Sequence, residues 1–428
     1  MQSIIPHSDL PQLSVGRDVV LNGMVCRVRE LATVSFIHLR SEVGLVQCVV
    51  AGALPPGLCT HAAVRIRGRA VSATLREPSL THRELEVRVE AIDVMSSPEE
   101  PAPFDVSKPE LEVGAGVALD HRALTLRHPR VSAVFRVQQE LVRGFKQALF
   151  GQGFQELHSP KLAAEAAEGG SEVFSLDYFG RTATLAQSPQ LYKELCTGAF
   201  NRVFEVGPVF RAEKHATSRH LAEYTSLDFE MGPIGGFEEV MQMATHVIAS
   251  AMSRVKQVCG PQLALLGAAV PEVGAIPAVR FRQAQSWVGA AGNDLSGADE
   301  AAIGEAVLQK TGSELVFITH YPTATRPFYA MEDPENPELT VSFDLLFRGV
   351  EIVTGGQRIH RRSALLAKMR RMGLDPEPFG FFHQTHGYGL PPHGGLGMGM
   401  ERLTQQLLGL ANIREATLFP RDRSRLTP

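Results

Sequence analysis

Charged side chains are concentrated in one stretch, FRAEKHATSRHLAEYTSLDFE, which runs from residue 210 to residue 230. The stretch follows FEVGPV, a short apolar run that is typical of a β-strand. It contains Arg211 and Arg219, and guanidinium groups bind phosphate and carboxylate oxygens in a fixed bidentate geometry. Taken alone, the stretch is equally compatible with a solvated loop, so it indicates an anion site only if other segments join it.

A second group of chemically useful residues is acidic. The segment RGVEIVTGGQRIH, residues 348–360, places Glu351 in an apolar strand, and Asp344 precedes it by seven residues. Carboxylates in such strands cost free energy unless they are paired or bound to a cation. Together with the Thr354 hydroxyl they supply the hard oxygen ligands that Mg²⁺ takes when it also binds a polyphosphate. The pattern predicts a Mg²⁺ site formed by Asp344, Glu351 and Thr354.

A third segment, PPHGGLGMGMERL at residues 391–403, is a glycine-punctuated strand that enters a helix with Arg402 in its first turn. Glycine allows a flat ligand to lie against the backbone, while a guanidinium group covers the other face of the ligand. A glycine-rich run of this kind is weak evidence when it stands alone.

The elements that must position these residues indicate an α+β protein. SSPEEPAPFD, residues 96–105, is rich in Pro and Glu and is typical of a linker. After it, apolar residues at helical spacing from Val134 to Leu149 predict a long amphipathic helix. Further strands and helices follow without regular βα alternation, which favours a largely antiparallel sheet flanked by helices. The predicted domains are 1–100, a connecting segment 101–128, and 129–428.

The N-terminal domain is predicted to be a small β-barrel. Five short segments of alternating polarity between about residues 14 and 95 fit an OB-fold. Arg65, Arg67 and Arg69 lie on one face of a strand. That face is compatible with binding a phosphate backbone and equally with a solvated sheet face whose charge is balanced by acidic residues.

Composition excludes several classes of protein. The 428 residues are 44% apolar and 21% charged, which is ordinary for a globular protein of two or more domains. No apolar run is long enough for a membrane span and no signal peptide is evident, which indicates a cytoplasmic protein. The five cysteines lack CxxC spacing, which argues against disulfides and zinc. A net charge of −4 means that local patches must hold any nucleic acid.

Together, these segments resemble parts of class II aminoacyl-tRNA synthetases, a family that shares three sequence motifs. The resemblance extends over the whole chain and is greatest to the aspartyl enzymes of the compact archaeal type. GFQELHSPKL (153–162) resembles motif 1, the 210–230 stretch motif 2, and GGLGMGMERL (394–403) motif 3. EGGSEVF (168–174) and AQSPQLYKE (186–194) are more specific marks of the aspartate family. The resemblance implies a homodimer that uses ATP and Mg²⁺ to activate L-aspartate and then transfers it to tRNA(Asp).

The resemblance also implies roles for individual residues. Arg211 would bridge the α-phosphate of ATP and the amino-acid carboxylate, and Arg402 would cover the adenine. The other implied ATP contacts are Glu213, Arg219, His220, Tyr224 and Glu351. Lys193 and Arg358 would bind the side-chain carboxylate of aspartate, and asparaginyl relatives lack that lysine. The other implied aspartate contacts are Glu168, Ser188, Gln190, Arg211, Asp228 and Thr354.

In this family the barrel reads the anticodon by stacking and by hydrogen bonds to base edges. Phe36 is the predicted stacking residue, Gln47 the predicted edge reader, and Glu84 or Glu86 the acidic partner. A phenylalanine on a strand is also compatible with a half-buried core position. Cys26 stands where relatives carry tryptophan or histidine, and Pro78 lies in a loop where relaxed relatives carry proline. These two positions favour charging of both tRNA(Asp) and tRNA(Asn), which leaves open whether an amidotransferase acts on the product.

Three alternatives stay open at this point. The first is an asparaginyl-tRNA synthetase on the same scaffold, against which Lys193 argues. The second is a synthetase-like protein that only binds RNA or a partner, against which the retained motif arginines and barrel argue. The third is an aspartate-activating enzyme that does not use tRNA, which would lack the barrel.

Overall fold

The computed structural model describes residues 13–164, 172–214 and 217–428. Glu168, one of the predicted aspartate contacts, lies outside these ranges. The chain divides into two compact units, 1–133 and 134–428. In the described part of the chain, no helix combines the length and apolar character needed to cross a membrane.

The first unit contains a closed five-stranded barrel with the strand order β1-β2-β3-β5-β4, as predicted for an OB-like fold. Its strand β4 shows why the barrel closes, because Val64, Ile66 and Ala70 point inward and are buried, while the arginines between them are exposed. The strands are β1 (Asp18–Glu30), β2 (Val34–Ser41), β3 (Gly44–Ala51), β4 (Ala63–Ser72) and β5 (Leu85–Ser96). Two short helices, α1 (Ala115–Asp120) and α2 (Arg122–Thr125), follow the barrel.

The second unit contains eleven further strands and nine further helices within the described residues. The strands are β6 (Gln155–Glu156), β7 (Leu162–Ala163), β8 (Ser175–Tyr178), β9 (Arg181–Leu185), β10 (Arg202–Phe210), β11 (Glu223–Met231), β12 (Ala278–Arg280), β13 (Leu315–Thr319), β14 (Ser342–Phe347), β15 (Val350–Gln357) and β16 (Gly394–Gly399). The helices are α3 (Pro129–Gly151), which begins in the first unit, α4 (Gln190–Phe200), α5 (Phe237–Val258), α6 (Gly260–Leu266), α7 (Phe281–Val288), α8 (Gly297–Thr311), α9 (Arg362–Arg371), α10 (Gly380–Tyr388) and α11 (Met400–Leu408).

An eight-stranded sheet forms the centre of the second unit, with the order β12-β13-β14-β15-β16-β11-β10-β6. Only its two outermost pairings, β12 with β13 and β10 with β6, are parallel. The predicted α+β class with a largely antiparallel sheet is therefore confirmed. Strands β10, β11, β15 and β16 carry or flank the three segments 210–230, 348–360 and 391–403. These strands are neighbours in the sheet, although the segments are distant in sequence.

The predicted amphipathic helix corresponds to α3. Its apolar positions Val134, Val137, Leu141, Phe145 and Leu149 are all buried in the main core of the second unit. Helix α5 packs an apolar face into the same core. The two helices anchor the sheet, so that the other face of the central strands is left to form the site.

Candidate active site

A cavity of about 640 Å³ lies over the central strands of the large sheet. It is lined by Arg211 from the second motif segment, Glu351 from the strand β15, and Arg402 from the third motif segment. The structure thus brings together three segments that the sequence keeps apart. Other predicted site residues that line the same cavity are Ser188, Gln190, Glu213, Arg219, His220, Tyr224, Asp228, Thr354 and Arg358.

Arg211 lies where strand β10 ends and the motif 2 loop begins. Its backbone N–H donates to Ala222 O at 2.9 Å, so the two ends of the loop are held together. Its guanidinium Nε lies 3.4 Å from a carboxylate oxygen of Glu172 and 3.5 Å from one of Glu213. Half of the side chain is exposed to the cavity and solvent. These contacts hold a cation at the mouth of the cavity in a position where an anion can reach it.

The motif 2 loop is also fixed from the C-terminal side of the chain. The carbonyl oxygen of Ser218 accepts a hydrogen bond from the backbone N–H of Ile413, and that of Thr217 accepts one from Arg414. Within the loop, the Thr217 hydroxyl contacts His220 Nδ1 at 2.6 Å. Residues 217–220, which include Arg219 and His220, are therefore held in place by contacts with the segment after α11.

Arg402 and Glu351 both line the cavity and are in direct contact. Arg402 Nη1 donates to the carbonyl oxygen of Glu351 at 2.9 Å and lies 3.7 Å from its carboxylate. Strand β16 can lie close to Phe229 and Glu230 of strand β11 because it is rich in glycine. A Cβ atom on Gly395 would collide with the carbonyl oxygen of Phe229 and with the Glu230 carboxylate.

Arg358 forms the part of the cavity predicted to bind the amino acid. Its Nε donates to Glu230 at 3.0 Å, and its Nη2 donates to Gly395 O at 2.9 Å and to the Gln190 side-chain oxygen at 3.3 Å. Asp228, on the neighbouring strand β11, accepts a hydrogen bond from the Ser226 hydroxyl. A buried guanidinium held by several acceptors cannot change its direction easily, which suits a group that must recognise one ligand geometry.

Lys193 is buried directly behind the cavity and does not line it. Its ammonium donates to Asp228 Oδ1 and to Leu396 O, both at 2.7 Å, and lies 3.5 Å from Glu230. The side chain is only 1% exposed, so Lys193 is not a solvent-exposed lysine on the surface of its helix. The contact of Lys193 with a substrate carboxylate stays a prediction, since its ammonium group binds Asp228, and Asp228 lines the cavity.

The residues predicted to hold Mg²⁺ fit a divalent cation. Asp344 and Thr354 are cross-strand partners on β14 and β15, and the Thr354 hydroxyl donates to Glu351 at 3.0 Å. Asp344 Oδ1 is buried without a hydrogen-bond partner, while Arg326 binds the other oxygen at 2.7 Å. Burial and the nearby Asp344 charge raise the pKa of Glu351. Additional positive charge would stabilise this cluster.

The surroundings of the cluster indicate a cation shared with another ligand. Burial and the Glu351 charge raise the pKa of Glu300 to about 7. Within the described ranges, no three His, Cys, Asp or Glu side chains form a ready metal site by themselves. That is compatible with Mg²⁺, which keeps few protein ligands when phosphate oxygens complete its coordination.

Several residues that contribute to the site were not assigned from the sequence. Arg326 pairs with the predicted metal ligand Asp344, Glu230 bridges Lys193 and Arg358, and Glu401 accepts the backbone N–H of Thr225 at 3.1 Å. Glu194 and His393 form a buried pair behind Gln190. The signal for Glu230 was present, since it is the last residue of the charged stretch 210–230 and follows Asp228 by two residues.

The barrel brings its three predicted anticodon residues to one outer face. Phe36 and Gln47 lie half-buried on the outside of β2 and β3. Gln47 donates to Glu86 at 2.9 Å, so that Glu86, rather than Glu84, is the acidic residue next to it. The arginine row on β4 is largely balanced, since Arg67 and Arg69 lie 3.8 Å from Asp93 and Asp18. This favours the interpretation of that row as a solvated sheet face.

Cys26 lies at an irregularity in the pairing of β1 with β2. It lines a small recess in the first unit together with Arg40, His61 and Ser79, the residue after Pro78. Burial raises the pKa of its thiol. The two positions that bear on the choice of tRNA are thus close to the same recess.

Comparisons with known proteins agree with this geometry. Residues 115–423 match the family model described as tRNA synthetases class II (D, K and N). The chain is 43% identical to the aspartate–tRNA(Asp/Asn) ligase of Thermus thermophilus, over 97% of both chains. It is 37% identical to the aspartate–tRNA(Asp) ligase of Pyrococcus abyssi, over 98% of both.

The fold is also similar to that of a solved structure, asparaginyl-tRNA synthetase from Pyrococcus horikoshii complexed with asparaginyl-adenylate. The TM-score is 0.88, with 27% identity and full coverage of both chains. The match to the family model covers most of the sequence and includes every segment that lines the cavity. The chain therefore belongs to the class II tRNA synthetases of the D, K and N group.

Proposed function

We propose that this protein is an aspartate–tRNA ligase that forms aspartyl-adenylate from L-aspartate and ATP and transfers the aspartyl group to tRNA. The observation that carries the proposal is the convergence of Arg211, Glu351 and Arg402 on one cavity that also contains Arg358. The names of the relatives at 43% and 37% identity support aspartate as the amino acid.

In the proposed reaction the aspartate α-carboxylate attacks the α-phosphorus of ATP and pyrophosphate leaves. Arg211 binds the α-phosphate and the attacking carboxylate, and so offsets the negative charge that increases as the two approach. Arg219 and His220 bind the outer phosphates, Glu213 and Tyr224 bind the adenine, and Arg402 covers it. Asp344, Glu351 and Thr354 would hold Mg²⁺, which would supply positive charge to offset that of the phosphates.

Selection of aspartate is assigned to the positive charge at the amino-acid end of the cavity. Arg358 binds the substrate side-chain carboxylate, with the Lys193 ammonium behind it, and Asp228 binds the substrate ammonium group. Ser188 and Gln190 orient the substrate. An asparagine side chain carries no negative charge and would not neutralise these cations. Such a mismatch is a strong basis for rejection of asparagine.

We further propose that the enzyme charges both tRNA(Asp) and tRNA(Asn). Cys26 and the Pro78 loop favour this, as does the name of the Thermus thermophilus relative, whereas the Pyrococcus abyssi relative is named for tRNA(Asp) alone. The test is charging of purified tRNA(Asp) and tRNA(Asn) transcripts with labelled aspartate. Charging of both is the expected result, and charging of tRNA(Asp) alone would restrict the function to a strict aspartyl enzyme. If tRNA(Asn) is charged, an amidotransferase that converts the product is the further partner.

Phe36→Ala should weaken tRNA charging and spare amino-acid activation. Loss of a base stacked on an aromatic ring costs about 1–3 kcal/mol, so kcat/KM for tRNA should fall about 5- to 150-fold. Aspartate-dependent pyrophosphate exchange, which uses no tRNA, should stay at the wild-type level. Val20→Ala, which truncates an exposed apolar side chain elsewhere on the barrel, is the matched control. Equal charging by Phe36→Ala and the control would refute the stacking role.

Glu351→Gln should weaken the stabilisation by Mg²⁺ without destabilising the metal-free protein. The raised pKa of Glu351 means that its contribution to stability is present at low pH and is lost as pH rises through that pKa. Wherever the folded protein carries this charge, the charge opposes folding until a cation binds. Thermal unfolding with and without Mg²⁺ measures both effects, and Glu335→Gln, an exposed loop residue, is the control. An unchanged shift on Mg²⁺ addition would contradict the assignment.

We propose a homodimer formed through the segment that resembles motif 1. Exposed apolar side chains lie in and beside it, including Phe150 at the end of α3 and Leu162 in β7. Apolar side chains of this size are frequent in subunit interfaces. Sedimentation at micromolar concentration should give twice the mass of one chain, and a monomer under these conditions would contradict the proposal.

A further inference from the structure

Two buried ionisable residues behind the cavity, Glu194 on α4 and His393 just before β16, have no role in the function proposed above. Both side chains are 0% exposed, and His393 Nε2 lies 3.2 Å from Glu194 Oε2. Neither of them lines the cavity. A buried charged pair costs free energy to form, so it calls for a physical explanation.

The partners of His393 determine how many protons the pair holds. His393 Nδ1 lies 2.8 Å from Pro391 O, and because a carbonyl oxygen only accepts, Nδ1 must carry a proton. The short contact between Nε2 and the Glu194 oxygen also needs a proton, because two facing lone pairs would repel each other. The pair is therefore neutral overall, whether this second proton lies on the ring or on the carboxyl group.

The electrostatics favour the form with both groups charged. Burial opposes a charge on His393, but the hydrogen bond and the charge of Glu194 outweigh it and raise the pKa of His393. Burial also opposes a charge on Glu194, yet its bond to His393 lowers the pKa of Glu194. The imidazolium and the carboxylate thus stabilise each other.

Hydrogen bonds connect this pair to the cavity. The other oxygen of Glu194 accepts from the Gln190 amide nitrogen at 2.7 Å, and the Gln190 oxygen accepts from Arg358 at 3.3 Å. Gln190 and Arg358 both line the cavity. The Gln190 nitrogen also lies 3.5 Å from a carboxylate oxygen of Glu230, but its shorter hydrogen bond is to Glu194. Glu194 therefore helps to keep the amide nitrogen turned away from Arg358 and the amide oxygen turned toward it.

The pair also completes a balance of buried charge. When the pair is protonated, three cations face three carboxylates, and loss of its proton leaves three carboxylates against two cations. The excess negative charge would lie near Arg358 and oppose an anionic ligand, while a neutral ligand would feel it little. The six side chains, each at most 5% exposed, are Lys193, Arg358, His393, Asp228, Glu230 and Glu194.

We propose that Glu194 and His393 are a positioning pair that controls amino-acid specificity: their shared proton keeps Arg358 available to a substrate carboxylate, and its loss reduces the preference for aspartate over asparagine. This inference rests on the proposed function, since it assigns a role in the same site to two residues that lie behind the cavity lining. The effect is expected of this pair because His393 and Glu194 are connected to the Arg358 guanidinium by hydrogen bonds through Gln190.

The pH dependence has a definite sign. As pH rises through the raised pKa of His393, the pair loses its proton, so KM for aspartate should increase while asparagine binding changes little. The other titratable groups facing the pair are Glu230, Arg358, His360 and His386, whose ring centroid lies 6.4 Å from that of His393. Burial lowers the pKa of both His360 and His386, so these two histidines lose their protons at lower pH than His393 does.

The test uses the full chain in ATP–pyrophosphate exchange, with His393→Gln compared with the double variant Glu194→Gln/His393→Gln. The single variant leaves an unbalanced carboxylate and should raise KM for aspartate about tenfold, with a much smaller change in kcat. The double variant replaces the pair by two neutral amides that can still hydrogen-bond, so most of that loss should be recovered. His386→Gln, at a neighbouring buried histidine, should leave KM unchanged.

Each outcome decides between charge balance and simple packing. Equal impairment of the single and double variants, or an unchanged KM in the single variant, would overturn the proposal. If His393→Gln does not fold, the wild-type protein decides, because the ratio of asparagine Ki to aspartate KM must fall as pH rises above the ordinary pKa of histidine, about 6.5. A ratio that does not vary with pH refutes the pair's role. Absence of any aspartate-dependent exchange by the wild type would instead refute the proposed function.

Discussion

Arg211→Ala should abolish adenylate formation. Arg211 is the residue placed to contact both reacting groups, and removal of a preorganised charge at such a point typically costs about 10²- to 10³-fold in kcat. Because two reactants lose a shared ligand here, we expect aspartate-dependent pyrophosphate exchange to fall below detection. The side chain is half exposed and lies on a loop, so its removal should not affect folding.

Two comparisons make this result specific. Binding of tRNA should be nearly unchanged in Arg211→Ala, because the predicted anticodon residues are on the barrel. Arg370→Ala, which removes an exposed arginine on α9 outside the cavity, controls for general loss of positive charge. Retained exchange activity in Arg211→Ala would refute the role of Arg211 in the reaction.

Lys193→Met should have the second large effect, on both activity and stability. Removal of the ammonium leaves Asp228 and Glu230 without one of their cations, and breaking a buried pair in this way costs about 3–5 kcal/mol of stability. We expect KM for aspartate to rise by about 100-fold or more, since a repelling carboxylate pair then lies beside Arg358. ATP binding should change little, because Lys193 is at the amino-acid end.

The control for Lys193→Met is Lys161→Met. Lys161 forms a partly buried ion pair with Glu205, and neither residue lines the cavity. Thermal unfolding should show that both variants are destabilised. Only Lys193→Met should lose aspartate activation. If the two variants activate aspartate equally well, Lys193 has a structural role alone.

Much of the fold follows from patterns that are local in sequence. Strand β10 and helix α3 coincide with the apolar segments expected for them, because each buries apolar residues in the main core of the second unit. Strands β2 and β4 of the barrel alternate between buried and more exposed residues for the same reason. The three-stranded sheet of β7, β8 and β9 was not predicted, since its short strands are mostly exposed and carry no clear alternation.

The site divides in the same way. Arg211 and Arg402 were predictable because each stands next to the end of a strand in a charged or glycine-rich motif. The partners of Lys193 were not, because Leu396 is 203 residues away and meets the lysine only when β16 pairs with β11. The pair of Glu194 and His393 was not predictable either, since a single histidine in PPHGG has no spacing that indicates a partner. Long-range contacts of this kind depend on the order of strands in the sheet.

The most direct measurement is ATP–pyrophosphate exchange by the wild-type protein with aspartate and with asparagine. If three segments form an ATP site beside a cationic pocket, aspartate should support exchange at least about 100-fold more efficiently than asparagine. Exchange that prefers asparagine would show that the pocket is misassigned. Absence of exchange with either amino acid, in a folded protein that binds tRNA, would contradict the account as a whole.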